Sequence, residues 1–121
     1  MSDTAAATPT IDLSVVVPFY EEEAAINAFF DELLGVLDRL PLRSEVVAID
    51  DGSGDHTFDR LAAVRARDPR VKVIRFRRNF GQTAGLAAGF AHASGAVVVT
   101  MDGDLQNDPA DIPRLLAKLD E

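Results

Sequence analysis

The residues of this chain best placed to do chemistry are acids set around glycine. Asp102-Gly103-Asp104 puts two carboxylates one residue apart with no side chain between them, so both can turn toward one ion. Gln106 adds a carbonyl oxygen two residues further on. Hard cations such as Mg²⁺ and Mn²⁺ take oxygen ligands, commonly one or two carboxylates together with substrate phosphates. The plain alternative is a turn or helix cap, for which Asp and Gly are ordinary residues. Asp50-Asp51-Gly52-Ser53 is a second acid pair. It could accept hydrogen bonds from a nucleobase imide or a ribose hydroxyl, or simply cap the helix that follows.

Other groupings carry weaker signals. Gly52-Ser53-Gly54 followed by Thr57 echoes a dinucleotide fingerprint, but the third glycine is missing and acids crowd the place where pyrophosphate would sit. Arg75, Arg77 and Arg78 form a basic cluster that suits a phosphate or base contact, or equally a solvated strand edge. Gly81, Gly85 and Gly89 recur every four residues; beside Gln82 and His92 this reads as close packing of a helix on a sheet rather than a membrane-dimer face. His56 and His92 have no partners at metal-ligand spacing and read as surface or satisfied residues.

The elements that must position these groups follow from hydrophobic periodicity. Leu13 to Val17 is a buried strand closed by Pro18. Ile26, Phe29, Phe30, Leu33, Leu34, Leu37 and Leu40 then recur at helical steps, and Pro41 ends that helix. Val46 to Ile49 is a second strand, running into the acidic turn. A helix with Phe58, Leu61, Ala62 and Arg65 inward follows, with Asp55 as N-cap. Val71 to Phe76 is a third strand, Gln82 to Ala93 a helix, Ala96 to Met101 a fourth strand. Ile112, Leu115, Leu116 and Leu119 mark a last helix entered through Asn107-Asp108-Pro109. Alternating strands and helices predict an α/β fold, a mainly parallel Rossmann-like sheet in three α/β/α layers. Ligands of such sheets bind beyond the carboxyl ends of the strands, and three of the four post-strand segments carry clustered acids.

Bulk properties narrow the function classes. The 121 residues fit one domain, and 20 acidic against 12 basic residues give a net charge of −8. Such a charge argues against nucleic acid as the main partner. There is no cysteine, which excludes disulfides and cysteine-rich zinc sites and fits a cytoplasmic setting. Residues 1–10 read as a disordered leader without the features of a signal peptide. Apolar runs such as Ala96 to Val99 fall far short of the ~20 residues that span a bilayer, so any membrane contact would be peripheral.

Taken in order, the segments resemble family 2 inverting glycosyltransferases of the GT-A fold. Val15-Val16-Val17-Pro18-Phe19-Tyr20-Glu21-Glu22 is similar to the opening V-V-P-x-Y-N-E motif, with Glu21 in the Asn place. Ile49-Asp50-Asp51-Gly52-Ser53 matches D-D-G-S, Arg78-Asn79-Phe80-Gly81 matches R-N-x-G, and Met101-Asp102-Gly103-Asp104-Leu105-Gln106 matches D-x-D-L-Q. The last element, followed by Asn107-Asp108-Pro109, is most similar to the branch that glycosylates polyprenyl phosphates, the dolichol-phosphate mannosyltransferase-like enzymes.

The resemblance implies that Pro18, Tyr20, Glu22 and Asp51 line a nucleoside pocket with Asp50 beside them, and that Arg78 lies near the base or phosphates. It implies that Asp102, Asp104 and Gln106 hold Mg²⁺ or Mn²⁺ on the diphosphate of a nucleotide-sugar donor, with Gly103 against the substrate. Residues 11–121 would then be the nucleotide-sugar-binding half of a GT-A domain. The acceptor would be a lipid phosphate whose site lies in a part absent here, or, in another branch, a polysaccharide hydroxyl. A chain truncated in this way is expected to bind donor rather than turn over. It would expose a sheet edge favouring self-association, and the full-length enzyme would touch the inner face of the membrane. Two other classes share the general features, a receiver-like signalling domain and a non-catalytic interaction module. The receiver pattern is poorly met: its acid pair follows the first strand, which here ends in Pro18-Phe19-Tyr20.

Overall fold

A computed structural model describes residues 10–103 and 108–119. The strands are β1 (Leu13–Phe19), β2 (Ser44–Asp50), β3 (Val71–Arg75) and β4 (Val97–Thr100). The helices are α1 (Ile26–Arg39), α2 (Thr57–Arg67), α3 (Gln82–His92) and α4 (Ile112–Leu119), the last preceded by a 3₁₀ turn at Pro109–Asp111. All strand pairs are parallel, in the order β3-β2-β1-β4. Successive strands run outward from β1 to β3, and the chain then crosses back to lay β4 on the other side of β1. The strand order therefore reverses between β1 and β4, where such sheets bind ligands.

Side-chain alternation along the strands divides the core into two layers. Leu13, Val15, Val17 and Phe19 of β1 share one face with Val46 and Ala48 of β2, packed beneath α1, α2 and Ile112. Val16, Val47 and Ile49 point to the opposite face, beneath Leu86 and Ala93 of the α3 segment. The two central strands are buried on both faces, which is why they read as unbroken apolar runs. Gly85 and Gly89 lie buried where α3 crosses the sheet, Gly85 against Pro18 and Ile49 and Gly89 against Val16 and Ile49, so these two serve packing; Gly81 has open space where a Cβ would sit and instead takes a φ of 101° at the start of the helix.

Details of the helices differ from the periodicity. In α1 the buried set is Ile26, Phe29, Phe30, Leu33, Val36 and Leu37, while Leu34 and Leu40 are only partly covered. In α2 the inward residues are Thr57, Leu61 and Val64; Phe58 and Ala62 are half-buried and Arg65 is exposed. Asp55 caps α2 from one place earlier than an N-cap, its Oδ1 accepting from the Thr57 amide at 2.9 Å. In α4 Ile112 is buried, but Leu115 and Leu119 are exposed among the described residues. No described helix is long and apolar enough to cross a membrane.

At the end of the sheet away from the acidic turns, Glu45 is nearly inaccessible. Its Oε2 accepts from the Ser14 hydroxyl and the Ser94 amide, each at 2.6 Å, and Lys72 Nζ lies 2.7 Å from Oε1. The Ser14 Oγ in turn accepts from the Gly95 amide at 2.8 Å. One carboxylate thus ties β1, β2, β3 and the turn before β4. Burial pushes the Glu45 pKa upward, but the hydrogen bonds from Lys72, Ser14 and Ser94 and the Lys72 charge outweigh it, so the group sits below its ordinary 4.5. A depressed carboxyl pKa adds stability above the unfolded value and loses it as pH falls through the folded value. Urea unfolding should therefore show stability declining below about pH 4.5. Glu45→Gln should flatten that decline and lower stability at neutral pH by about 1–3 kcal/mol.

Candidate functional site

A cleft of about 440 Å³ opens at the carboxyl ends of β1 and β4. Pro18, Tyr20, Glu22, Asp51, Asp102 and Gly103 line it, as do Phe19, Asn79, Gly81 and Gln82. Six of the residues singled out by sequence therefore share one cavity. Asp50 and Arg78 are not in its wall, and Asp104 and Gln106 lie outside the described residues.

The β1 end of the cleft is shaped by strand and turn together. Phe19 is buried against Phe29 and Phe30, with ring centroids 5.7 and 5.9 Å away. The opposite side of its ring carries the turn after β4: a Cβ on Gly103 would lie 2.3 Å from Phe19 Cδ1, so only glycine lets that backbone settle there. The loop after β1 is held by two hydroxyls across the sheet. The Glu21 amide donates to Ser53 Oγ and the Glu22 amide to Thr57 Oγ1, both at 2.9 Å. Glu21 adopts a left-handed backbone with φ of 51°. Asn tolerates this conformation better than Glu because its short side chain bonds locally, a physical reason for Asn at this place in the motif. Glu21→Asn should raise stability by up to about 1 kcal/mol in urea unfolding.

Asp51 organises the opposite wall. It is 4% exposed, and its Oδ1 accepts from the Phe80 amide at 2.8 Å. Its Oδ2 accepts from Asn79 Nδ2 at 3.0 Å and from the Gly81 amide at 3.1 Å. Asn79 Nδ2 also reaches the Asp51 carbonyl at 3.2 Å. The next residue, Gly52, has φ of 71°, and a Cβ there would sit 2.0 Å from the Arg78 carbonyl carbon. The Arg78–Gly81 loop thus lies directly on the turn after β2, clamped by one carboxylate. A carboxylate offers about four acceptor positions, so this leaves room for roughly one further contact to a ligand. Asp51→Ala would strand three donors and should destabilise by about 2–3 kcal/mol in urea unfolding followed by circular dichroism.

Asp50 turns away from the cleft. It is fully buried, its Oδ1 accepts from the Ser53 amide at 3.1 Å, and Arg75 Nε stands 3.8 Å from Oδ2, outside hydrogen-bond range. Arg75 stacks over Phe58 at 4.1 Å, and Arg78 over Phe80 at 4.4 Å. Arg75 and Arg77 border a smaller depression with Gly52, Ser53 and Phe76. His56 is exposed and bonded to Asp59 at 3.1 Å, and His92 bonds the Ala88 carbonyl at 2.9 Å, so both are satisfied locally. The Asp59 hydrogen bond, with the charges of Glu23 and Asp59, raises the His56 pKa.

Electrostatically the rim is negative. The Tyr20 hydroxyl is held above its ordinary 10.0, first by the charge of Glu21 and then by desolvation, a hydrogen bond to Glu21 and the charges of Asp51 and Asp55. Among the described residues no three His, Asp or Glu side chains cluster tightly enough to hold a metal by themselves. Asp102 supplies one hard oxygen donor to the cleft, a donor type suited to Mg²⁺ or Mn²⁺ with substrate phosphates completing the shell. Besides Phe19, three cleft residues were given no site role in sequence, Asn79, Gly81 and Gln82. The first two belong to the R-N-x-G motif, and Gln82 follows it as the first residue of α3.

The profile of the family described as glycosyl transferase family 2 matches residues 14–121. The chain belongs to that family. This family 2 chain is 38% identical over 112 residues to dodecaprenyl-phosphate galacturonate synthase of Rhizobium johnstonii, covering 92% of the chain and 33% of that protein. It is 39% identical over 116 residues to undecaprenyl-phosphate 4-deoxy-4-formamido-L-arabinose transferase of Salmonella paratyphi A, covering 95% of the chain and 36% of that protein. The chain therefore spans about a third of the length of these relatives. Among solved structures it is similar to glucosyl-3-phosphoglycerate synthase of Mycobacterium tuberculosis in complex with Mn²⁺, UDP and glucosyl-3-phosphoglycerate. That match has a TM-score of 0.71 and 26% identity, covering 96% of this chain and 41% of the other. The parallel α/β sheet is thus that of GT-A glycosyltransferases.

Proposed function

We propose that residues 11–121 are the donor-binding part of an enzyme that transfers a sugar, with inversion, from a nucleoside diphosphate to a polyprenyl phosphate. The observation that carries this reading is the acid-lined cleft at the reversal of strand order, where Pro18, Tyr20, Glu22, Asp51 and Asp102 converge. The two curated relatives are named for undecaprenyl- and dodecaprenyl-phosphate products, which supports the acceptor class. The similar mycobacterial enzyme holds UDP together with Mn²⁺, which supports the donor class and the metal.

Tyr20 and Pro18 offer a partly apolar wall to the nucleoside, and Asp51 offers its remaining acceptor position. Asp50 supports the turn through the Ser53 amide, and Arg78, stacked over Phe80 next to the cleft residue Asn79, is available to the base or phosphates. Asp102, Asp104 and Gln106 would hold Mg²⁺ or Mn²⁺ near Gly103. When bound, such an ion supplies the positive charge that stabilises a departing diphosphate. With Glu22, Asp51 and Asp102 in the cleft wall, that charge offsets repulsion between the wall and the diphosphate and so tightens donor binding. A phosphate acceptor is already anionic, so attack on the anomeric carbon needs no general base from this part of the protein. On this reading the whole enzyme would meet the inner face of a membrane, since its acceptor would be a lipid.

Calorimetric titration of the chain with UDP, GDP and their sugars, with and without Mn²⁺, tests the reading. At least one nucleotide should bind tighter with Mn²⁺; Asp104→Ala should remove the metal dependence, and Asp51→Ala should weaken binding with or without metal. Metal-independent binding, or none, for every nucleotide would overturn it.

A further inference from the structure

Gln82 is the first residue of α3, and its side-chain Nε2 donates to Asp102 Oδ1 at 3.1 Å, twenty residues away in sequence. Both residues line the cleft, and both border a smaller depression beside it with Leu86, Thr100 and Met101. The base from which Gln82 projects is fixed. Asp51 holds the amides of Phe80 and Gly81, and the Gly81 carbonyl accepts from the Gly85 amide at 3.1 Å to start the helix. A rigid bridge therefore runs from the buried Asp51 carboxylate, through the loop and the first turn of α3, to the carboxylate at the end of β4.

Rotation of an Asp carboxylate about its last torsion is broad and weakly hindered, so its plane is set by its partners. Groups that bond a metal-ligating side chain orient it and tune its affinity. The chemistry of the donor matters here. A lysine at this place would bring a positive charge that competes with a cation, whereas a primary amide orients the oxygen and leaves the negative charge of Asp102 intact. We propose that Gln82 is a positioning residue: its amide sets the carboxylate plane of Asp102 and thereby the affinity of the cleft for a divalent cation with nucleotide. This rests on the reading of Asp102 as a cation ligand.

The test follows free Mn²⁺ by electron paramagnetic resonance in the full chain, at fixed UDP and separately at fixed GDP. Wild type is compared with Gln82→Met, which keeps the side chain's length without its N–H, with Gln82→Ala, and with Asp102→Asn. Both Gln82 variants should weaken Mn²⁺ binding about tenfold and broaden the signal of the bound ion. Their thermal midpoint should stay at the wild-type value, and their loss of nucleotide affinity should be larger with Mn²⁺ than without. Wild-type Mn²⁺ affinity and line shape in Gln82→Met, with loss in Asp102→Asn, would overturn the proposal and leave the donor-site reading standing. Equal losses with and without metal would also overturn it, since Gln82 would then hold the cleft in general. A wild-type chain that takes up no Mn²⁺ with either nucleotide would overturn both.

Discussion

One buried carboxylate holds the mouth of this molecule together. Asp51 sits at the end of a strand buried on both faces, and the amides it satisfies come from a loop 29 and 30 residues further along the chain. Without an acceptor at that point, the start of α3 would present unpaired donors in a part-buried place, a costly arrangement. With it, the loop closes down on Gly52, where no Cβ intervenes, and α3 begins at a fixed height above the sheet. The orientation of Gln82, and through it of Asp102, depends on that placement.

The second organising element is Phe19. Its ring is shared between the α1 aromatic cluster and the turn after β4, so apolar packing and the acidic site meet on one side chain. Packing locates the carboxylates; it does not relieve their mutual repulsion. The raised Tyr20 hydroxyl records the field of Glu21, Asp51 and Asp55 at the rim. Together with Glu22 and Asp102 in the cleft wall, these acids concentrate negative charge at the carboxyl ends of β1 and β4.

Much of the fold was legible in the chain. The unbroken apolar runs of β1 and β2, the helical repeat of α1 and the glycine spacing of α3 all predicted elements found within a few residues of where they were expected. The misplacements share a cause. Val36 is buried and Leu34 only half covered because the stripe that continues from Ile26, Phe29, Phe30 and Leu33 at helical steps passes through Val36 and Leu37, with Leu34 beside it. Arg65 is exposed because α2 turns Val64 to the sheet instead. Similarly, the paired acids Asp50 and Asp51 look equivalent in sequence, yet strand alternation sends one toward Arg75 and the other toward the loop.

Sequence by itself determined the α/β class, the parallel sheet and the set of acids at the strand ends, because these follow from local periodicity; the family was legible through the resemblance of its motifs. Tertiary structure alone decided which acids face the cleft. The strand order places β4 beside β1, bringing Asp102 within reach of Gln82. Close approach at Gly52 and Gly103 then fixes the backbone heights. Contacts between residues twenty or thirty positions apart have no local signature, since they arise only when the crossover connections are laid down on a common sheet.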